Sequence, residues 1–127
     1  MAKPIWEAQS EMKSGSPKIY IPERGDIVKI NFSPHQGHEQ GFERPAIILS
    51  PSQYNKVTSL ALMCPITTKS ESFRFEVQLF DGMQTVEVVL SDHIKSFDWK
   101  ARQVEFIEKA PIELVEEVLA KLETLLA

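Results

Sequence analysis

The spacing of apolar residues divides the chain into a polar start, a body of short strands and one C-terminal helix. Val28, Ile30 and Phe32 alternate with Lys29 and Asn31, which predicts a half-buried strand. Further strands are predicted over 46–50, 60–66, 74–79, 85–90 and around 104–106, with 92–97 continuing the strand before it, 51–59 forming a turn or short helix, and Pro65 ending the strand over 60–66.

The last segment has the helical period instead. After Pro111, apolar residues recur on one face at three- and four-residue spacing: Leu114, Val115, Val118, Leu119, Leu122, Leu125 and Leu126. Proline suits a first helical turn, and Glu113 suits the positive end of the helix dipole. Many short strands and one terminal helix predict a mainly β fold with helices (α+β), a small strongly bent sheet or partial barrel capped by the C-terminal helix.

Residues 1–18 do not share this pattern. They contain SGSP at 14–17 and few apolar residues, of which Trp6 is the largest. We therefore expect a mobile N-terminal extension over 1–18 and one domain over 19–127. Trp6 is a candidate for docking on the domain or on a partner.

Composition places the chain among ordinary globular proteins. Of its 127 residues, 43% are hydrophobic and 25% charged, and no apolar run approaches the roughly 20 residues of a membrane helix. The single cysteine, Cys64, lies in an apolar run and is expected to be a buried thiol. The N-terminus lacks an apolar signal-peptide core. These features predict a cytoplasmic protein.

The charge distribution leaves nucleic-acid binding open. The net charge of −4 disfavours a phosphate-binding protein, but residues 105–127 carry six acids and two bases and account for all of it. The remaining chain is balanced and can present a local basic face. The three histidines and one cysteine lack metal-site spacing, and no glycine-rich phosphate loop is present, so no metal and no cofactor are expected.

The stretch GHEQGFERPAIIL (37–49) crowds His38, Glu39, Glu43 and Arg44 just before a predicted buried strand. A solvated loop would account for this charge, and either glutamate could simply pair with Arg44. A functional site supported by the strand is the alternative.

Four separated segments then carry a resemblance: RGDIVKINFSP, GHEQGFERPAIILSPSQYN, CPITT and LSDHIKSFDWKAR. In this order they resemble the MazF/PemK (Kid) toxins of bacterial toxin–antitoxin pairs over about residues 20–127. The resemblance implies an SH3-like, CcdB-type barrel and a homodimer. It also implies a toxin that cuts single-stranded mRNA without metal, leaves a cyclic phosphate and a 5′-hydroxyl, and is neutralised by a cognate antitoxin whose C-terminal segment we expect to be acidic.

The same resemblance implies the site residues. Arg44 and Thr67 match the MazF-type catalytic pair, and His38, Glu39 and Asp92 match PemK-type positions. This sequence departs from the pattern at Leu90, where PemK-type relatives have arginine. It also departs at Phe42, where relatives usually have a glycine; here the glycine, Gly41, is one position earlier. A third departure is His93, where glutamine is usual.

The residues fit metal-free RNA cleavage by the substrate's own 2′-hydroxyl, which needs a base, an acid and a donor to the phosphate. Arg44 suits the donor role because guanidinium stays charged and can contact two phosphate oxygens. Thr67 can donate to the same phosphate but is a poor base. His38 and Glu39 remain for proton transfer, with base and acid unassigned.

The expected RNA-contacting residues are Thr68, Lys69, Arg74, Asp92, His93, Lys95 and Lys56, with Lys100 and Arg102 as further cations and Phe73 or Trp99 as stacking groups. Trp99 could equally be core or dimer interface. The leading hypothesis is therefore an endoribonuclease toxin. The alternatives are a non-catalytic CcdB-like toxin or inactive relative that acts as a binding module, and a nucleic-acid regulator that acts only together with its antitoxin.

Overall fold

The structure is a computed structural model, and it describes residues 19–32, 43–68, 75–85 and 87–126. The proposed extension 1–18 lies outside the described residues, as do the candidate residues His38, Glu39, Lys69 and Arg74. The domain boundary at residue 19 stays a prediction.

The described residues form seven antiparallel strands and two α-helices. The strands are β1 (Asp26–Asn31), β2 (Glu43–Ile48), β3 (Leu60–Thr67), β4 (Glu76–Gln78), β5 (Val88–Leu90), β6 (Lys95–Asp98) and β7 (Glu105–Lys109). The helices are α1 (Ser52–Thr58) and α2 (Ile112–Leu126), and Ser91–His93 forms a 3-10 helix. The predicted mainly β fold with a C-terminal helix is confirmed.

The strands are ordered β4-β5-β3-β2-β1-β7, and β6 pairs with the first half of β3. On the side away from β2, β3 therefore has two successive partners, β6 along Leu60–Met63 and β5 along Ile66–Thr67. Pro65 falls between them, where a missing N–H costs no ladder hydrogen bond on that side. The prediction that Pro65 ends this strand is wrong, since β3 continues to Thr67.

Alternation along β1, β2 and β3 sends side chains into two separate apolar clusters. The α2 cluster contains Ile27, Ile47, Cys64 and Ile66 from the sheet, packed against the C-terminal helix. The Trp99 cluster takes the intervening positions and consists of Val28, Ile30, Ala46, Ile48, Ala61, Met63 and Trp99. Because both faces of the central strands are covered, their backbone is held rigidly.

The helix α2 buries Leu114, Val115, Val118 and Leu122, each contributing roughly 1.5–3 kcal/mol of transfer free energy. Leu125 and Leu126, which the period placed on the same face, are exposed. No helix in the described part of the chain combines the length and apolar character that crossing a membrane requires.

Three strand predictions were too long. The strand in the segment 74–79 is Glu76–Gln78. The segment 85–90 is a strand only from Val88, because Glu87 has a positive φ of 94° that extended strands do not allow. The segment 92–97 divides into the 3-10 helix and β6. The 3-10 helix lies between β5 and β6, which pair with successive parts of β3.

Candidate active site

Arg44 and Thr67 occupy opposed positions on neighbouring strands. The β2–β3 register pairs Ala46 with Pro65, Ile47 with Cys64 and Ile48 with Met63. These pairs end at Ala46 and Pro65, and two positions further along the same antiparallel register Arg44 and Thr67 come to the same level. Residues at the same level of neighbouring antiparallel strands have their side chains on the same face. Two residues separated by 23 positions in the chain thus form one level of the sheet, the Arg44–Thr67 rung.

The support under this rung is the Trp99 cluster. Arg44 is also paired with Ile30 of β1, a residue only 1% exposed. Counting by twos along the strands places Arg44 and Thr67 on the face of Ala46 and Met63, both fully buried. The site residues therefore extend the same face beyond the edge of the core, with Arg44 exposed and Thr67 half-buried.

The Arg44 guanidinium lies back along its own strand, and its Nη1 donates to the Glu43 carbonyl at 2.8 Å. The Glu43 carboxylate lies 3.4 Å from Lys29 Nζ, and Glu105 lies 3.5 Å from the same ammonium on its other side. These two carboxylates, Glu105 more than Glu43, raise the pKa of Lys29. Glu43 thus takes part in an exposed cross-strand ion pair with Lys29.

The loop candidates His38 and Glu39 belong to the segment between β1 and β2. Its two ends, Asn31 and Glu43, form the last rung of the β1–β2 ladder. The segment therefore leaves and rejoins the sheet directly beside Arg44. The positions of His38 and Glu39 lie outside the described residues.

Asp92 and His93 lie on the 3-10 helix after β5, with the His93 Nε2 3.8 Å from an Asp92 carboxylate oxygen. Cys64, on the opposite face of β3 from Thr67, donates its Sγ–H to the Ser91 carbonyl at 3.5 Å. Burial, together with Asp92, raises the pKa of Cys64 to about 12, so the predicted buried thiol is confirmed. The 3-10 helix thus approaches β3 from the α2 side.

The remaining predicted RNA-contacting residues divide by position. Thr68 is exposed and follows Thr67 directly, and Lys95 is exposed on β6 opposite Met63, on the same face as Thr67. Lys56 lies on α1, before the start of β3. At about 3.3 Å per residue, the start of β3 is roughly 23 Å from Thr67. Within one protomer the structure does not bring Lys56 to the Arg44–Thr67 rung.

Trp99 is only 5% exposed, and its Nε1 donates to the Asn55 carbonyl at 2.8 Å. The stacking role considered for Trp99 is therefore wrong, and its place in the core is confirmed. A different aromatic group lies near the site. The rings of Phe32 and Phe97 pack edge to face with their centroids 5.1 Å apart, and the Arg102 guanidinium lies 4.9 Å from the Phe97 ring centroid. Sequence reasoning named Arg102 only as a possible cation and did not connect it with β1.

Within the described ranges, no three His, Cys, Asp or Glu side chains are placed to hold a metal ion. A groove with a volume of about 630 Å³ lies at the far end of β2 and β3, where Leu49, Tyr54, Leu62, Leu122 and Leu126 line it. It contains neither Arg44 nor Thr67, so it is separate from the candidate active site.

Comparisons with known proteins identify relatives of this chain. Residues 23–126 match the model of the PemK-like, MazF-like toxins of type II toxin–antitoxin systems. The endoribonuclease toxin MazF of Escherichia coli K12 is 43% identical over 83 residues, covering 65% of this chain and 74% of that protein. The endoribonuclease PemK of Escherichia coli is 37% identical over 108 residues, covering 82% and 81%.

Solved structures give the same result. The crystal structure of MazF from Deinococcus radiodurans superposes with a TM-score of 0.77 at 44% identity, covering 85% of this chain and 98% of that chain. MazF in a MazE–MazF complex from the same organism gives 0.77 at 39% identity, covering 86% and 98%. On the match of the family model, the identity to its curated members and the shared fold, this chain belongs to the PemK-like, MazF-like toxin family of type II toxin–antitoxin systems.

Proposed function

We propose that this protein is a sequence-specific, metal-independent endoribonuclease toxin that cleaves single-stranded mRNA. The observation that carries the proposal is that the β2–β3 register brings Arg44 and Thr67, an exposed cation and a hydroxyl, to one level on the same face of the sheet. The relatives named as endoribonucleases support it.

In the proposed reaction the substrate's 2′-oxygen attacks the adjacent phosphorus, and the bond to the 5′-oxygen breaks. The products are a 2′,3′-cyclic phosphate and a 5′-hydroxyl. The Arg44 guanidinium neutralises the charge that builds up on the phosphate oxygens, and the Thr67 hydroxyl donates to one of them. His38 and Glu39 share the two proton transfers, from the 2′-hydroxyl and to the 5′-oxygen.

We propose that the RNA follows the polar edge around this rung. Thr68 follows Thr67 in the chain, and Lys95 lies on the same face opposite Met63, four positions along β3 from Thr67. Lys69, Arg74, Asp92 and His93 are proposed as further contacts on sequence grounds, and Lys56, at the far end of β3, is proposed only for RNA that extends that far. Each phosphate neutralised by a cation adds salt dependence, with a slope of about −0.7 in log affinity against log salt per contact for single strands.

The proposed partners are a cognate antitoxin and a second copy of the chain, in the cytoplasm. A structure of a related toxin contains its antitoxin MazE. The apolar groove beside α2, with Tyr54, Leu62 and Leu126 exposed around it, is a surface that a partner would cover. An acidic antitoxin segment would also compete with RNA for Arg44.

The test is cleavage of a mixed-sequence RNA by purified protein in EDTA, with both new ends mapped chemically. We expect cuts at one short recurring sequence, each leaving a cyclic phosphate and a 5′-hydroxyl. Arg44→Ala should remove them. Lys121→Ala, which removes the same charge from α2, should not.

Absence of cleavage at every enzyme concentration would contradict the proposal. Growth arrest that persists in cells expressing Arg44→Ala would instead favour the non-catalytic binding module.

A further inference from the structure

The carbonyl of Asn31 marks a gap in the sheet beside the candidate active site. The strand β7 pairs with β1 only as far as Lys29, opposite Glu105. Asn31 extends two positions further, so no β7 N–H is available to its carbonyl. Instead Arg102 Nη1 donates to this oxygen at 2.6 Å, across 71 positions of the chain. A side chain thus replaces the hydrogen bond that a longer β7 would make.

The Arg102 side chain is held in place by its contact with Phe97 and by the turn that carries it. Its guanidinium lies over Phe97 at 4.9 Å, and Phe97 in turn packs edge to face on Phe32. The turn that carries Arg102 is closed by Asp98, whose side chain accepts from the Ala101 N–H at 2.9 Å and whose carbonyl accepts from the Arg102 N–H at 3.1 Å. A planar cation fixed in this way resists reorientation more than a flexible surface lysine does.

The connection to Arg44 runs through one rung. Asn31 is the register partner of Glu43, and the Glu43 carbonyl accepts the hydrogen bond from Arg44 Nη1. Without Arg102, the last rung of the β1–β2 ladder would lose its outer support, and this rung carries the backbone oxygen that the Arg44 guanidinium contacts. Small displacements of a group that contacts the transition state can cost 10- to 100-fold in rate.

We propose that Arg102 is a positioning residue for Arg44, acting through the Asn31–Glu43 rung and anchored on Phe97. It orients the phosphate-binding guanidinium and does not itself have to touch the RNA. This inference rests on the proposed function for its kinetic consequence, and on the hydrogen bonds alone for its structural one.

The test compares R102M, R102K and K121A. Methionine keeps an unbranched apolar side chain over Phe97 but cannot donate to Asn31. Lysine keeps the charge and one donor, and Lys121→Ala removes a cation from α2, away from the candidate active site. We expect kcat of R102M to fall about 10-fold or more with KM changed less than about threefold. R102K should recover part of kcat, and K121A should retain it.

A second readout follows Arg44 directly. The Arg44 Nε–Hε NMR signal, assigned by its loss in Arg44→Lys, should shift in R102M and stay in place in K121A. If R102M does not fold, kcat and the Arg44 signal are measured in R102K instead, and we expect a smaller loss of kcat and a smaller shift of the signal.

A kcat within about twofold of wild type in folded R102M, an unmoved Arg44 signal, or a loss confined to KM and shared by K121A would overturn the inference. If the wild-type protein does not cleave RNA, the proposed function fails, while the Arg44 signal still decides whether Arg102 positions that side chain.

Discussion

The two ends of β1 hold charged residues in opposite ways. At its start, Asp26 has a side chain only 5% exposed, and its carboxylate accepts from the Tyr20 hydroxyl at 2.6 Å, the Glu23 N–H at 3.0 Å and Lys109 Nζ at 2.9 Å. At its other end, Ile30 and Asn31 pair with Arg44 and Glu43, whose side chains are exposed.

This difference in burial indicates that the Asp26 end stabilises the fold and that the Arg44 end is available for binding. Three donors around a buried carboxylate stabilise the fold, and losing one leaves a buried polar group unsatisfied. Burial first, and then Asp26, raise the pKa of the Tyr20 hydroxyl, which keeps it a donor throughout the physiological range. An exposed guanidinium at a rigid edge contributes little stability but can meet a phosphate. The two ends should therefore separate experimentally into stability and activity.

The largest expected effect is at the Arg44 end. Arg44→Ala should lower kcat/KM for RNA cleavage by about 10²–10³-fold, the typical cost of removing a group that stabilises transition-state charge. Its thermal midpoint should stay within about 2 °C of wild type, because the side chain is exposed. Initial cleavage rates and a melting curve on the same preparation measure both. A large loss of stability would contradict the division between the two ends.

The next effect is at the Asp26 end. Asp26→Asn should lower the free energy of unfolding by about 2 kcal/mol, since it removes the charge facing Lys109 and places an amide donor among three donors. Urea unfolding measures this, with Glu23→Gln as control. The Glu23 carboxylate also pairs with Lys109, at 3.3 Å, but is exposed and should change stability by less than about 1 kcal/mol. Specific activity of the folded fraction should stay unchanged.

Thr67 should show a smaller effect on activity alone. Thr67→Val keeps the branched shape but removes the donor, and we expect a loss of about 10-fold in kcat/KM, the value of one hydrogen bond to a charged group. Thr67→Ser keeps the hydroxyl and should recover most of it. Equal losses in the two variants would show that shape, not the hydroxyl, matters at this position.

The smallest expected effect is on the pH dependence of stability, at Cys64 on the other face of β3. Because burial raises the pKa of Cys64 to about 12, the folded state keeps the thiol neutral where the unfolded state ionises. This contribution is fully present below pH 9, the ordinary thiol value, and is lost as pH rises toward 12, with roughly 1.4 kcal/mol gone by pH 10. Unfolding free energies at pH 8 and pH 10 measure it. Cys64→Ala should reduce that pH dependence, and cleavage measured at pH 8 should not change.

Prediction from sequence succeeded where a pattern repeats. Period-two alternation identified β1, and the helical stripe identified α2, because burial on one face imposes a period that the chain itself displays. It was less accurate where tertiary contacts override local preference. Pro65 does not end β3, since the neighbouring strands change there, and the positive φ of Glu87 delays the start of β5 to Val88.

Candidate site residues follow the same division. The resemblance singled out Arg44 and Thr67 separately, and register showed that they share a rung. The hydrogen bond from Arg102 to Asn31 could not be foreseen, because it depends on where β7 stops pairing with β1.

By itself, the sequence determined the strand and helix periods, the chemistry of an arginine before a buried strand, and the family resemblance. Each of these depends on residues close together in the chain or on the order of motifs. Only the tertiary structure decided that Arg44 and Thr67 come to one level of the sheet, that Lys56 lies at the far end of β3, and that Trp99 is core. Those facts depend on strand order and register, which many distant contacts set together and no short segment encodes.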